Sequence, residues 1–124
     1  MIKTKNFNPD YDKKLLCTCG DVDCDKRSVT QETLDRAQLV RDDANRSLYI
    51  TSGGRCTHHK DEKHRTKPAD HQKGIALDIG VNGGFERGQI VELGLKHGFN
   101  AIGIAKDFVH LGYRAGDPLV MWTY

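Results

Sequence analysis

The chain has 124 residues, a length that fits one domain, and we expect residues 1–124 to form it. Hydrophobic residues make up 37% and charged residues 29%, which predicts a modest core under a well-solvated surface. The formal net charge of +2 is small and the basic residues are dispersed, so the composition argues against a nucleic-acid-binding protein.

Membrane and export signals are not evident in the sequence. No stretch approaches the ~20 apolar residues that a membrane span requires. Residues 1–14 are interrupted by charged side chains and lack the apolar run of a signal peptide. We therefore expect a soluble protein that is made in the cytoplasm without a membrane anchor.

The first half of the chain predicts one helix and one strand after an irregular opening. Residues 1–29 are expected to be a loop-rich lead-in. A helix capped by Ser28 or Thr30 should run to about Arg46, because apolar residues recur every three or four positions. A short strand is predicted at 48–51, and the polar stretch 52–73 is predicted to be a long, functional loop.

The second half alternates strand and helix patterns. We predict a strand at 74–79, a helix at 85–97 that ends before a glycine, and a hairpin from strands at 100–105 and 108–113. An aromatic tail follows. This element order predicts an α+β fold in which helices flank a small, largely antiparallel sheet.

The strongest chemical signal is His71 followed after six residues by Asp78. Along the predicted strand, Gly74, Ala76 and Asp78 share one face, while the residues between them are apolar. Small side chains leave room above the sheet, and the carboxylate provides a hard oxygen ligand on a rigid element. A loop histidine beside a turn-capping aspartate would give the same pattern without a metal.

A second signal lies at His110, which shares its strand face with Phe108 and Gly112. Two histidines and one carboxylate, with a fourth position open, form a common catalytic Zn²⁺ set. We therefore predict that His71, Asp78 and His110 bind Zn²⁺, which would lower the pKa of a bound water from ~15.7 to about 7.

Two further residues are candidates for catalysis. Asp107, three residues before His110, is the nearest acid–base group. In an ideal strand these two side chains point to opposite faces, so this role requires Asp107 to lie in a turn or bulge. Arg55 follows a Gly-Gly pair and can stabilise an oxyanion or bind a substrate carboxylate; an ordinary surface arginine is the alternative.

Several other polar clusters have more than one interpretation. Cysteines at positions 17, 19, 24 and 56 are free thiols, structural metal ligands or a late disulfide, since their spacing is not a standard zinc motif. The histidines at 58, 59 and 64 are expected to lie in a solvated loop. Asp21, Asp23, Asp25 and Glu32 match a calcium loop in part, but Lys26 replaces its glycine.

Three motifs occur in order: Ser-Gly-Gly-Arg-Cys at 52–56, His-x-x-Gly-x-Ala-x-Asp at 71–78, and Asp-x-x-His at 107–110. Together they resemble the zinc D-alanyl-D-alanine carboxypeptidase and dipeptidase family, and most of all its phage L-alanyl-D-glutamate peptidase endolysins. The resemblance covers residues 6 to 124. Two positions depart from the family pattern: Ala69 replaces a frequent serine, and Gly54 replaces a frequent aromatic residue.

The resemblance implies a hedgehog/DD-peptidase-like fold. It implies His71, Asp78 and His110 as zinc ligands, Asp107 as the catalytic acid–base residue and Arg55 as the group that polarises the scissile carbonyl. The expected partner is the peptidoglycan stem peptide, and the expected activity is L-alanyl-D-glutamate endopeptidase.

Two alternatives stay open, namely a D-alanyl-D-alanine carboxypeptidase or dipeptidase and an inactive, metal-stabilised cell-wall-binding domain. We expect a monomer that acts on the bacterial cell wall after holin-type release from the host cytoplasm.

Overall fold

The computed structural model describes all residues, Met1–Tyr124. Its helices and strands, in chain order, are α1 (Gln31–Ala44), β1 (Ile50–Ser52), α2 (Asp70–Lys73), β2 (Ala76–Gly80), α3 (Gly83–Lys96), β3 (Ala101–Ile104), β4 (Phe108–Gly112) and β5 (Val120–Thr123). A short 3-10 helix at Lys13–Leu15 precedes them. None of the helices is both long enough and apolar enough to cross a membrane.

The five strands form one sheet in the order β1-β2-β4-β3-β5. The first three pairings in this order are antiparallel, as predicted, and β5 pairs with β3 in parallel. The α+β class and the helix-flanked sheet are confirmed. The sequence predicted β5 only as an aromatic tail, and its pairing makes the sheet mixed.

Local signals placed the long helices well. Thr30 caps α1 by accepting a hydrogen bond from the backbone N–H of Thr33, and Asn45 ends the helix in the left-handed conformation. The long loop predicted for 52–73 is wrong at its end, where α2 forms. A helix of four residues is too short to show a periodic apolar pattern.

One face of the sheet packs against α1 and α3. Leu77 and Ile79 of β2 and Val109 and Leu111 of β4 are fully buried. They join the apolar side chains of α1 and α3 in a core cluster of 16 buried residues. Strand alternation then requires the intervening residues of β2 and β4 to face the opposite side of the sheet.

The opposite face is kept open by small residues. Ala76 is fully buried in β2, and Gly112 lies across from it in β4. A Cβ atom added to Gly103 would lie 2.7 Å from Nε1 of Trp122, so the indole of β5 packs directly on that glycine. The small side chains leave space for polar groups above the middle of the sheet.

The lead-in, residues 1–29, contributes to the core despite its lack of long helices or strands. Phe7, Leu15 and Val29 are buried members of the core cluster. Its backbone also packs against the turn after β1, where the N–H of Gly54 donates to the carbonyl oxygen of Leu15 at 3.0 Å. The lead-in therefore fixes the position of this turn.

Gly54 has no room for a side chain, because an added Cβ atom would collide with the backbone of Arg27 and Ser28. This close approach explains why the chain has a glycine at position 54, where the family that it resembles often has an aromatic residue. We predict that Gly54→Ala destabilises the protein by about 1–3 kcal/mol, as overpacking against backbone typically does.

The matched control is Gly88→Ala, in the interior of α3, where nothing lies within 4 Å of the added methyl group. Alanine should stabilise the helix there by ~0.5–1 kcal/mol. Urea unfolding monitored by circular dichroism compares the two variants. Equal unfolding midpoints for Gly54→Ala and the wild type would contradict the packing described for the lead-in.

Candidate metal centre and cleft

Three predicted ligands meet on the open face of the sheet. His71 comes from α2, Asp78 from β2 and His110 from β4, where Asp78 and His110 are cross-strand partners. Oδ1 of Asp78 lies 3.2 Å from Nε2 of His71 and 3.2 Å from Nδ1 of His110. All three residues are buried, and their ligand atoms lie within 4.8 Å of one another.

Hydrogen bonds on the far side of each imidazole leave the correct nitrogen free for a metal. A carbonyl oxygen only accepts, so Nδ1 of His71 donates to that of Gly53 at 2.7 Å, and Nε2 is the nitrogen that faces Asp78 and the ion position. Nε2 of His110 contacts Oδ2 of Asp70 at 3.1 Å, which leaves Nδ1 for the ion. Outer partners of this kind orient the histidine ligands of metal sites, and the donor set fits Zn²⁺.

Asp70 is itself held in place from outside the cluster. Arg114 donates to both carboxylate oxygens, from Nε at 2.9 Å and from Nη2 at 3.0 Å. A paired guanidinium of this kind fixes the orientation as well as the charge of the carboxylate. Arg114, Asp70 and His110 thus form a chain of contacts that ends at the ligand cluster.

The two carboxylates and His110 influence each other's protonation. Although burial opposes the shift, hydrogen bonds from His110 and Arg114 lower the pKa of Asp70 to about 2. Burial likewise opposes the shift at Asp78, but the two imidazoles hold the pKa of this carboxyl far below its usual range. The pKa of His110 is raised by Asp70 and Asp78 against the effect of burial. Both carboxylates are therefore ionised at neutral pH, which favours a bound cation.

Arg55 lies beside the cluster, as the sequence predicted. Its guanidinium donates to Oγ of Ser52 at 3.0 Å and to Oε2 of Glu62 at 3.2 Å, and one nitrogen lies 3.5 Å from Oδ2 of Asp78. The side chain is mostly buried, and the backbone N–H of Arg55 donates to the carbonyl oxygen of His71. Arg55 is thus a fixed cation at the ligand cluster.

Asp107 lies apart from these residues. It sits in the turn between β3 and β4, its side chain is exposed, and its carbonyl oxygen accepts a hydrogen bond from the N–H of Val81. It is not among the residues that line the cleft above the ligand cluster. The structure therefore brings together four of the five predicted site residues and leaves Asp107 outside.

The cluster lies in an open cleft of about 790 Å³. The wall includes three aromatic residues from the strands and the C-terminus, Phe108, Trp122 and Tyr124. The basic side chains of the wall, besides Arg55, are Lys60, Arg65 and Arg114. The cleft is thus wide enough for an extended peptide, and its wall carries both basic and acidic side chains.

Glu62 is the most buried carboxylate in the cleft wall, with 1% of its residue surface exposed. It pairs with Arg55 and also accepts a hydrogen bond from Nε of Arg65 at 3.1 Å. Sequence reasoning missed Glu62 because it lies in a polar stretch without periodicity. It missed Asp70 too. The available signal was the position of this acidic residue directly before the predicted ligand His71.

The loop histidines and the partial calcium motif form no compact buried site. Among the three loop histidines, His64 lines the cleft, whereas His58 is exposed and lies near Asp21 and Asp23. Asp25 of the partial calcium motif pairs with Arg27 instead. Ala69, where the resembling family often has serine, precedes α2 and provides no side-chain cap.

The sequence profile of the family described as Peptidase M15 matches residues 8–112. The matched segment contains all three residues of the ligand cluster, together with Arg55 and Asp107. A search of curated proteins found no match to the chain.

The contacts of Asp70 lead to a test of its supporting role. Asp70→Asn keeps the size of the side chain but removes its charge, so we expect zinc affinity or activity to fall by about 10–100-fold, as for other outer partners of metal ligands. Competition with a chromogenic chelator measures the affinity. The control is Asp117→Asn, which changes an exposed residue in the loop after β4 and should leave the zinc affinity unchanged. An unchanged zinc affinity of Asp70→Asn would show that Asp70 has no part in the site.

Proposed function

Because the chain belongs to the Peptidase M15 family, whose members are zinc peptidases, we propose that it hydrolyses the stem peptide of bacterial peptidoglycan. The proposed bond lies between L-alanine and D-glutamate. In this proposal the protein is a phage endolysin that reaches the cell wall after holin-type release. The observation that carries the proposal is the buried cluster of His71, Asp78 and His110 at an open cleft.

In the proposed mechanism, His71, Asp78 and His110 hold Zn²⁺ and leave its remaining position to solvent and substrate. When bound, zinc supplies Lewis acidity that lets a water molecule ionise near neutral pH. The protein's own contribution is to orient the two imidazoles so that their inner nitrogens face the ion position. Gly53 and Asp70 do this by accepting hydrogen bonds from the outer nitrogens.

Arg55 is proposed to stabilise the negative charge that develops on the oxygen of the scissile carbonyl. Ser52 and Glu62 hold its guanidinium in place before the substrate arrives, so little reorganisation is needed. Preorganised donors stabilise such charge more strongly than water does, because they need not reorient as the charge develops.

Two basic side chains of the cleft wall support an acidic peptide as substrate. Arg65 and Lys60 line the wall on the side of Glu62, and Arg65 is partly exposed. The D-glutamyl residue of the stem peptide carries a free carboxylate beside the proposed scissile bond. A guanidinium can bind such a carboxylate by two parallel hydrogen bonds.

We propose Asp107 as the acid–base residue on the strength of the Asp-x-x-His pattern at 107–110. Its exposed position in the β3–β4 turn means that this role requires the carboxylate to move toward the cleft when substrate binds. Asp107→Asn should then retain zinc and lose about 10²–10⁴-fold in rate, the usual contribution of general acid–base catalysis. Steady-state hydrolysis at saturating zinc measures the loss, and activity within a few-fold of the wild type would refute the assignment.

The metal cluster itself is tested by His110→Ala. Removal of one imidazole should abolish hydrolysis and greatly weaken zinc binding at this site, because two ligands cannot replace the three-residue set. The control is His58→Ala, an exposed histidine outside the cleft, which should behave like the wild type. Full hydrolytic activity of the His110→Ala variant in the presence of a chelator would contradict a metal-dependent mechanism.

The bond that is cut can be identified by digesting purified peptidoglycan and analysing the fragments by mass spectrometry. The proposal predicts new peptides with N-terminal D-glutamate. Free D-alanine would instead identify a D-alanyl-D-alanine carboxypeptidase. Binding to the wall without any cleavage, by protein with a full zinc site, would identify an inactive binding domain.

A further inference from the structure

Four cysteines that the proposed mechanism does not use converge at one point. Cys17, Cys19 and Cys24 come from the lead-in, and Cys56 follows β1. Their sulfur atoms all lie within 4.8 Å of one another. Sγ of Cys56 is 3.6 Å from Sγ of Cys17 and 3.5 Å from Sγ of Cys19.

These separations match the sulfur positions of a single tetrahedral metal ion. Zinc–sulfur bonds of about 2.3 Å place tetrahedral sulfur ligands about 3.8 Å apart. A disulfide needs a sulfur–sulfur distance of about 2.05 Å, and all four residues are free cysteines. The four side chains surround one point instead of forming two pairs.

The backbone around the cluster also points hydrogen-bond donors at sulfur. The N–H of Lys26 lies 3.3 Å from Sγ of Cys24. Lys26 adopts this position in the left-handed conformation, with φ of 52°, which is uncommon for a residue with a side chain. Hydrogen bonds from backbone N–H groups stabilise a sulfur that carries negative charge.

The crowded thiols limit the negative charge that the cluster holds without a cation. Although the backbone at Asp21 opposes the shift, burial and the neighbouring thiols raise the pKa of Cys19 to about 12. Burial also raises the pKa of Cys17. The pKa of Cys56 is lowered to about 7 despite burial, by the backbone of His58 and by the other thiols. A bound divalent cation would favour the thiolate form of all four.

We propose that Cys17, Cys19, Cys24 and Cys56 bind a second Zn²⁺ ion, with a structural role. Four thiolates in a closed tetrahedral set leave no open position, which is the arrangement of structural and not catalytic zinc sites. Each thiol that is still protonated releases its proton to solvent as its sulfur binds the ion. No electrons are transferred.

This second ion would stabilise the turn after β1, which carries residues of the proposed peptidase site. Cys56 is the next residue after Arg55, and Gly53 of the same turn accepts the hydrogen bond from His71. The other three cysteines belong to the lead-in, whose residues Leu15 and Arg27 pack against Gly53 and Gly54. The ion would join the lead-in to the turn by metal bonds, and its loss should loosen Arg55 and His71 together.

Metal content measured by mass spectrometry on the full-length protein, purified under reducing conditions with zinc, tests the proposal. We expect two zinc ions per wild-type chain and one in the double variant His71→Ala/His110→Ala. This double variant removes only the first site, so failure of the proposed peptidase activity does not affect the result. One ion in the wild type and none in the double variant would overturn the proposal.

Cobalt provides the second measurement, because thiolate–Co²⁺ bonds give sulfur-to-metal charge-transfer absorption in the near ultraviolet. The double variant loaded with Co²⁺ should show this absorption, and Cys19→Ser in the same background should show a weaker band, because one of the four thiolate–Co²⁺ bonds is removed. Thr18→Ser is the matched control and should keep the full signal. No charge-transfer band in the double variant, or rapid reaction of all four thiols with a thiol reagent in zinc-loaded protein, would contradict the site.

Discussion

The pairing of β2 with β4 is the constraint on which the site depends. Its register places Asp78 directly opposite His110, with their side chains on the open face and the flanking apolar residues in the core. A shift of either strand by one residue would turn its ligand into the core and its apolar residues out to solvent. The burial of Leu77, Ile79, Val109 and Leu111 thus also fixes the metal ligands.

The third ligand and the cationic group reach the sheet through shorter segments that other contacts hold. His71 lies on a four-residue helix, and its outer nitrogen is bound by the carbonyl of Gly53. Arg55 follows in the same turn and binds Glu62. Since the lead-in packs against this turn, residues far from the cleft in sequence contribute to its geometry. The proposed thiolate site would strengthen the same connection.

The sequence was sufficient to predict the long elements and the three candidate ligands, from helix and strand periodicity together with the family resemblance. Strand periodicity placed Asp78 and His110 each on a strand face with small neighbours, and the structure pairs the two strands so that these residues lie side by side. Gly74 was expected in the strand, but it ends α2 in the left-handed conformation with φ of 73°, and β2 begins at Ala76. Strand ends are set by such local backbone geometry, which residue patterns define poorly.

Contacts between distant segments were not predictable in this way. The pairing of β5 with β3, the approach of Asp70 to His110 and the burial of Glu62 depend on how loops fold back on the sheet. Asp107 illustrates the same limit, since its spacing from His110 is compatible with a catalytic role while its observed position is exposed. Spacing identifies which residue types are near in sequence, but the direction of a turn determines where a side chain points.

We propose that one Zn²⁺ ion is bound by Nε2 of His71, a carboxylate oxygen of Asp78 and Nδ1 of His110. Anomalous X-ray scattering from a crystal of the zinc-loaded protein, recorded on both sides of the zinc absorption edge, locates the ion directly. The account predicts a peak at about 2.0–2.2 Å from each of these three atoms. A zinc-loaded crystal with no peak between them would contradict it.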